Sequence, residues 1–553
     1  MSDGEFQEGQ LWEAVQAAVF HKIGNLVAVV DVNGQQCDGK MEDVMEIRNI
    51  SKKLRSFGAM VKEVDGHSVQ DIESAMSETA AEADVDKPKF VLCYTDPCKG
   101  FEKLRERAPK LHYVRFKSPE EKQSWKAVLD QMDEEHDFQV VHDPVAGEGN
   151  RKRKFRSVQS SSTEVESVTM KTATTTIAVE EACVPLKNPQ IVVRPHRTNL
   201  VQWAKKHSKA IVLTADLTSS CEADLFRDAE LPGQYLSMGM AEQNMMSFAG
   251  GLAREGFHPY VHTFAVFVTR RPFDQVAMSI GVPNLPVRLF GFLPGLTTPG
   301  GVTHQAIDDV ALMRSIPNMR ILEVGDATEV ESVLDVAEQI PGPVYVRMWR
   351  GMVPRLFDTP MMFGTARLLS EGTDVALVTY GICTEEALKV TTTLQDTAGF
   401  TIHHLHLSTL VPFPADIVRK AATRTQYGII VMENHSIIGG IGSATAEALA
   451  EAGIGKKLIR LGVPGVYAHG ASREYLMKEY GFDKTALLRA IQTLTSQDMM
   501  SMISLVDRQN NTSCPQNNIK ASEKSDPSLM GPPSHAARVE SRVISAEERP
   551  EDL

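Results

Sequence analysis

Excess positive charge is missing from this chain. It carries 58 Lys and Arg against 71 Asp and Glu, a formal net charge of −13 over 553 residues. Such a balance does not attract a phosphate backbone, which argues against a nucleic-acid partner. Long apolar runs are missing too: none approaches the roughly 20 residues a membrane-spanning helix needs, and no basic-then-apolar signal stretch is found. No membrane partner and a cytoplasmic location are therefore expected. Cysteines are sparse and scattered; the seven include Cys93 and Cys98 but no second pair at zinc-site spacing, so reduced thiols are expected. What remains, 42% hydrophobic and 23% charged residues, is the composition of an ordinary globular protein long enough for several domains.

The pattern that is present is a repeated alternation of amphipathic helix and buried strand. QLWEAVQAAVFHKI at 10–23 places Leu11, Ala14, Val15, Ala18 and Val19 on one helical face, and the near-continuous apolar NLVAVVDVN follows. The rhythm returns in KPKFVLCYTD, then in AIVLTADL, PVRLFGF and GPVYVRM, and again in DVALVTYG, TIHHLHLS and GIIVMENH. Alternation of this kind implies an α/β fold: three successive α/β domains with mainly parallel sheets covered on both faces. Residues 135–185, including RKRKFR and a Thr-rich run, read as a flexible linker. RKRKFR there reads as a solvated charge run. Residues 496–553 read as a disordered tail.

Two stretches carry candidate chemistry. In SDGEFQEGQLWEA, Asp3 offers a carboxylate and Gly4 a close backbone approach; Asn33, on the turn after the next strand, offers a second hard oxygen. Oxygens on successive strand-end turns share the rim where α/β folds bind ligands. In SMGMAEQNMMSFAGGLA, Glu242 opens a helix of small residues, where an acid is favoured by the helix dipole alone.

Together these stretches resemble the transketolase family, whose thiamine diphosphate motif reads GDG followed about thirty residues later by Asn. Gly4, Glu8, Gly9, Asp31, Asn33 and Asp38-Gly39 fall in that register, with Ser2 in place of the first Gly. The resemblance implies a thiamine diphosphate-binding fold followed by a transketolase C-terminal domain: a partial diphosphate-binding domain at 1–134, a pyrimidine-binding domain at 186–360 and the C-terminal domain at 361–495. It implies thiamine diphosphate bound with Mg²⁺ or Ca²⁺, metal ligands in Asp3, Asn33 and the main-chain carbonyl of Gln35, and cofactor contacts from Asp3, Gly4, Glu8 and Asn33. Glu242 becomes the catalytic acid facing the aminopyrimidine. HTFAVFVTRRPFDQ resembles the family strand whose aromatics flank that ring, here Phe264 and Phe267. GVTHQAIDD makes His304 a catalytic group reaching a substrate hydroxyl, and RMWRG puts Arg350 at a substrate phosphate or carboxylate position. Arg197, Ser220 and His112 fall at further substrate-binding positions, whereas Glu433 and His435 receive no catalytic role.

The implied activity is transfer of a two-carbon ketol unit from a ketose, or ketose phosphate, donor to an aldose acceptor. It is expected of a homodimer with the active site at its interface. Alternatives are a non-catalytic paralogue acting as a binding or regulatory partner, and a relative resembling deoxyxylulose-phosphate synthase or a 2-oxoacid-decarboxylating enzyme. Two departures bear on these readings. Gly300 and Phe292 stand where the family carries polar sugar-recognition residues, which leaves the substrate open. A complete diphosphate domain would also place further chain before Asp3, so truncation, completion by a separate polypeptide or loss of catalysis is expected.

Overall fold

Val27–Val32, the VAVVDV run, pairs in parallel with Lys89–Tyr94, and Lys89–Tyr94 in turn with Met60–Asp65, so the most buried of the three strands is central. The computed structural model describes residues 1–81, 86–109, 111, 116, 118–135, 180–229, 231–497, 499, 503, 506, 543 and 544. Ser2 forms a parallel bridge to Asp31 on the open side of this first sheet. Asp3–Gln7 then makes a short 3₁₀ turn, from which Gly9–Phe20 leaves as a helix that packs Val15 and Ala18 inward. Phe6, Val15, Val30, Leu54, Phe90 and Leu92 form the core beneath.

The second sheet has seven strands among the described residues. Its order is Thr409–Val411, Arg320–Glu323, Val344–Met348, Arg288–Phe292, His258–Phe264, Ala210–Thr214 and Tyr235–Ser237. All pairings are parallel except that of Thr409–Val411, which runs antiparallel and comes from the following α/β segment. The third sheet runs Leu458–Val463, Gly428–Ser436, Val375–Thr379, Ile402–Leu407, Ala366–Ser370 and Glu180–Ala182, again mostly parallel. Gly428–Ser436 and Val375–Thr379 are buried along their whole length, as the apolar runs Ile429–Met432 and Val375–Val378 require. The protein is therefore an α/β fold with mainly parallel sheets. Glu180–Ala182 lies inside the stretch expected as linker yet pairs with Ala366–Ser370. Residues 136–179 of that stretch lie outside the described residues, as does most of 496–553. Pro119–Glu135 is helical and belongs to a separate compact unit.

The second and third sheets are joined through buried charge. Arg347, fully buried, donates to both carboxylate oxygens of Asp309 at 2.8 and 3.2 Å, to Glu323, and to the main-chain oxygen of Asn434 at 3.0 Å. Tyr345 adds a hydroxyl to Asp309 at 2.6 Å, and Tyr380 donates to Glu433 at 3.0 Å. Burial, more than any neighbour, pushes Glu323 and Glu433 up to about 7. Asn434 then clamps the 294–296 turn, accepting from Leu296 and donating to Pro294. Glu433 closes the start of the helix Ile441–Glu451 by accepting from Ile441 and Gly442. These bonds account for Glu433 structurally.

A buried ion pair contributes little net stability, but removing one partner is costly because the other is stranded without solvent. Arg347→Leu leaves Asp309 and Glu323 without their shared cation, and a loss of about 3–5 kcal/mol is expected. Urea unfolding measures this, and a midpoint equal to that of the unaltered protein would remove the network from the account of stability.

Candidate functional site

Glu242 is the first residue of the helix Glu242–Arg254 and is only 2% exposed. The helix can pack this deeply because a side-chain carbon at Gly250 would stand 2.6 Å from the main-chain oxygen of Ser279. Oε1 of Glu242 accepts from Arg271 Nη1 at 2.8 Å, while Oε2 is buried with no hydrogen-bond partner. A carboxylate oxygen is seldom buried in this way without a donor, and within the chain the neighbouring Glu8 carboxyl is the group that interacts with it.

The aromatic platform beside it comes from a strand–helix corner. Phe264 ends the strand His258–Phe264, and Ala265–Thr269 turns at once into helix. A continuous strand would have put residues 264 and 267 on opposite faces; the helical turn brings them to one side. Their rings stack with centroids 5.8 Å apart. His304 meets both edge-on, at 5.9 Å from Phe264 and 5.5 Å from Phe267, and hydrogen-bonds Thr303 at 2.8 Å. Burial, helped by the charge of Arg271, lowers the His304 pKa and favours the neutral imidazole. Arg350 lies over the Phe264 ring at 5.8 Å and donates to the main-chain oxygen of Ser220 at 2.9 Å. Glu242, Phe264, Phe267, His304, Arg350 and Ser220 are thus neighbours in the structure.

The first segment reaches this cluster within the same chain. Gln7 Oε1 accepts from Met240 N at 2.7 Å, and a side chain at Gly239, where φ is +66, would collide with Gln7 and Met45 at 2.6 Å. Asp216 accepts from the amides of Cys37 and Asp38, while Asp38 accepts from those of Thr218 and Ser219. Glu8 is thereby placed beside Glu242, with Arg271 Nη1 3.4 Å from its Oε1. Its pKa is pushed up to about 7, chiefly by burial and then by the Glu242 charge.

The expected metal side is arranged differently. Asp3 accepts from Gly4 at 3.0 Å and from Gly34 at 2.8 Å; burial raises its pKa. Asn33 Oδ1 accepts from Gln35 N at 2.8 Å, and its amide donates to Asp31. Asp3 and Asn33 therefore close turns, and no group of three or more His, Cys, Asp or Glu among the described residues is arranged to hold a metal. Gly4 approaches closely, since a side-chain carbon there would sit 3.0 Å from Met240 Cε. The guanidinium of Arg197 is bidentate on Asp224, at 2.9 and 2.7 Å, and His112 lies outside the described residues. Phe292 packs in the core against the buried pair His196 and His262. Gly300 leaves room for His304, whose Cβ would be 3.1 Å from an added side chain.

The role of Arg271, the pairing of Asp38 with Asp216 and the burial of Glu222 escape a sequence reading. Arg271 lies within the quoted TRRPF run, but only the fold shows that it meets Glu242. Asp38 and Asp216 are 178 positions apart and have no shared motif. Glu222 is buried with its Oε1 accepting from Gly351 at 2.7 Å and its Oε2 unpartnered; burial pushes it up to about 7.

An acid with an open oxygen thus lies beside an aromatic platform at the carboxyl ends of parallel strands, the rim where α/β folds bind ligands. Family models agree in chain order. The transketolase thiamine diphosphate-binding domain matches residues 1–175, the pyrimidine-binding domain 196–355 and the C-terminal domain 364–487. A putative uncharacterised transketolase family protein of Sinorhizobium fredii is 34% identical, over 52% of this chain and 84% of its own length. A putative transketolase C-terminal section of Methanocaldococcus jannaschii is 31% identical, over 53% and 92%. A 6-deoxy-6-sulfo-D-fructose transketolase subunit of a Clostridium species (strain MSTE9) is 34% identical, over 54% and 92%. The chain belongs to the transketolase family.

Because Glu8 keeps its proton to about 7 in the folded state and to about 4.5 otherwise, its contribution to stability is present below 4.5 and fades as pH rises to 7. Glu8→Gln is expected to flatten that part of the stability profile. Thermal melts across pH 4.5–7.5 check this, and a slope unchanged by the substitution contradicts the placement of Glu8.

Proposed function

We propose that this chain is a thiamine-diphosphate-dependent transferase that moves a two-carbon ketol unit from a ketose, or ketose phosphate, to an aldose. The observation that carries the reading is the buried, unpartnered oxygen of Glu242 beside the Phe264–Phe267 platform. The pyrimidine side fits the cofactor: the Phe264–Phe267 pair offers an aromatic surface for stacking, now covered by the exposed side chain of Arg271, and Glu242 offers one open carboxylate oxygen for a ring nitrogen. When bound, the cofactor supplies a carbon nucleophile able to cleave and form bonds next to a carbonyl. Glu242 holds or releases a proton at the ring nitrogen. His304, kept neutral, exchanges a hydrogen bond with a substrate hydroxyl, and Arg350 offers a fork to substrate phosphate or carboxylate. On the other side, Asp3, Asn33 and the carbonyl of Gln35 are the oxygens that would hold a magnesium or calcium ion, together with ligand phosphates.

The proposed assembly is a homodimer, with a separate polypeptide adding surface to the diphosphate half. The exposed Phe20, Ile23, Leu26 and Val29 near the first sheet, and the relative named as a subunit, support a protein partner. The engagement of Asp3 and Asn33 in turn closure favours a second reading, a non-catalytic binding partner. Calorimetry of the full chain with thiamine diphosphate and Mg²⁺ separates the two, followed by assays offering ketose donors or pyruvate. Binding is expected, and Glu242→Gln is expected to reduce turnover at least a hundredfold, within the range of acid–base catalysis. No heat of binding supports the second reading, and use of pyruvate alone points to the decarboxylating class.

A further inference from the structure

Arg271 makes two contacts of a kind that a bound aminopyrimidine would need. Its guanidinium carbon lies 4.1 Å over the Phe267 ring, a stacking distance, and its Nη1 donates to Glu242 Oε1 at 2.8 Å. A flat, nitrogen-edged group between a phenyl face and a carboxylate is what an aminopyrimidine also presents. The arginine side chain is 45% exposed while Glu242 is 2% exposed, so the cation enters from solvent and the acid waits at the bottom. Glu8 lies on the same guanidinium at 3.4 Å, giving Arg271 a second carboxylate to follow.

We infer that Arg271 is a stand-in for the aminopyrimidine ring: it occupies the Phe267–Glu242 slot in the free protein and must swing out before the ring can enter. This rests on the cofactor reading proposed above. The physical logic is local. Without a cation or a ring N–H, the buried Glu242 carboxylate would be left with only the neighbouring Glu8 carboxyl, which is costly. Arg271 supplies that partner in the free state. Its length and exposure let it leave without disturbing the core, and Glu8, in a position to accept it, keeps it near. Entry of the ring therefore takes the Phe267 face from Arg271 and brings a partner to the open Oε2 of Glu242, and the measured affinity is reduced by the free energy of the contacts that Arg271 gives up.

The test is equilibrium binding of thiamine diphosphate with Mg²⁺ to the full chain, and of thiamine alone to isolate the ring's contribution. Arg271→Ala is expected to bind both about tenfold more tightly, equivalent to ~1.4 kcal/mol, with a faster association rate. Arg271→Lys keeps a cation for Glu242 without a flat stacking group and should fall between the two; it also decides the matter should the alanine variant fold poorly. Binding to the unaltered protein that these substitutions leave unchanged or weaken overturns the stand-in and spares the cofactor reading. If neither the unaltered chain nor either variant binds, the cofactor reading fails and the stand-in with it.

Discussion

The site depends on a reciprocal exchange of carboxylates between two loops. Asp216 receives the amides of Cys37 and Asp38; Asp38 returns its own carboxylate to Thr218 and Ser219. Each loop closes the other's open backbone donors, so neither conformation is satisfied alone. Leaving such a donor unpaired in a buried place costs ~1–3 kcal/mol. Burial pushes Asp216 up to about 6, yet both amide bonds oppose that shift, so the same contacts that fix the loop help to keep it charged. Gln7 extends the seam by bonding Met240, Gln36 and Met45, which carries the start of the chain to the turn immediately before Glu242. The Glu8–Glu242 neighbourhood follows from that seam.

Behind the site, a second constraint fixes the sheet from which the platform projects. Arg347 lies next to the strand that contributes Phe292, and its pairing with Asp309 and the Asn434 carbonyl ties that sheet to the following segment. Glu329 repeats the device nearby: Arg367, His406 and Ser408 all converge on it, and His406, chief among the opposing causes, helps to lower its pKa to about 2 despite full burial. The chain Glu329–His406–Thr384–Thr379–His404 continues as unbroken hydrogen bonds through the interior. Networks of this kind are all-or-none in effect, because each member is satisfied only if the next one is.

Much of this was readable in advance because it is written in local pattern. Val27–Val32 is an apolar run that became a partly exposed edge strand, and Gly428–Ser436, which opens on the apolar Ile429–Met432, became a fully buried parallel one. Glu242, Phe264, Phe267, His304 and Arg350 were legible as a set because each sits in a short recognisable segment. Residues whose role depends on distant partners were not. Glu180–Ala182 is a polar EEA segment with no alternation to announce a strand, and its place is set by Ala366–Ser370. Arg197 reads as a substrate ligand by position, and only the fold shows that Asp224, 27 positions further on, accepts both arms of its guanidinium. Phe292 stands where a polar group was expected, and burial against His196 and His262 makes it part of the core.

Register explains why the reactive groups converge at all. His262 lies opposite Thr214, Phe264 opposite Phe292, and Phe292 opposite Met348, so four parallel strands end on one line. The residues just beyond those ends are Asp216, the corner carrying Phe267, the turn at Pro294 and Arg350. Parallel strands gather their carboxyl ends on one rim, which is where α/β folds bind ligands. Along that rim lie the carboxylate seam at Asp216 and the aromatic platform, and Arg350, just after Val344–Met348, reaches across to Ser220 in the loop that follows Asp216. The antiparallel Thr409–Val411 is added at the opposite margin of the sheet, beyond Arg320–Glu323. Its contribution is therefore to cover an edge, and the polarity of the rim is left to the segment 196–355.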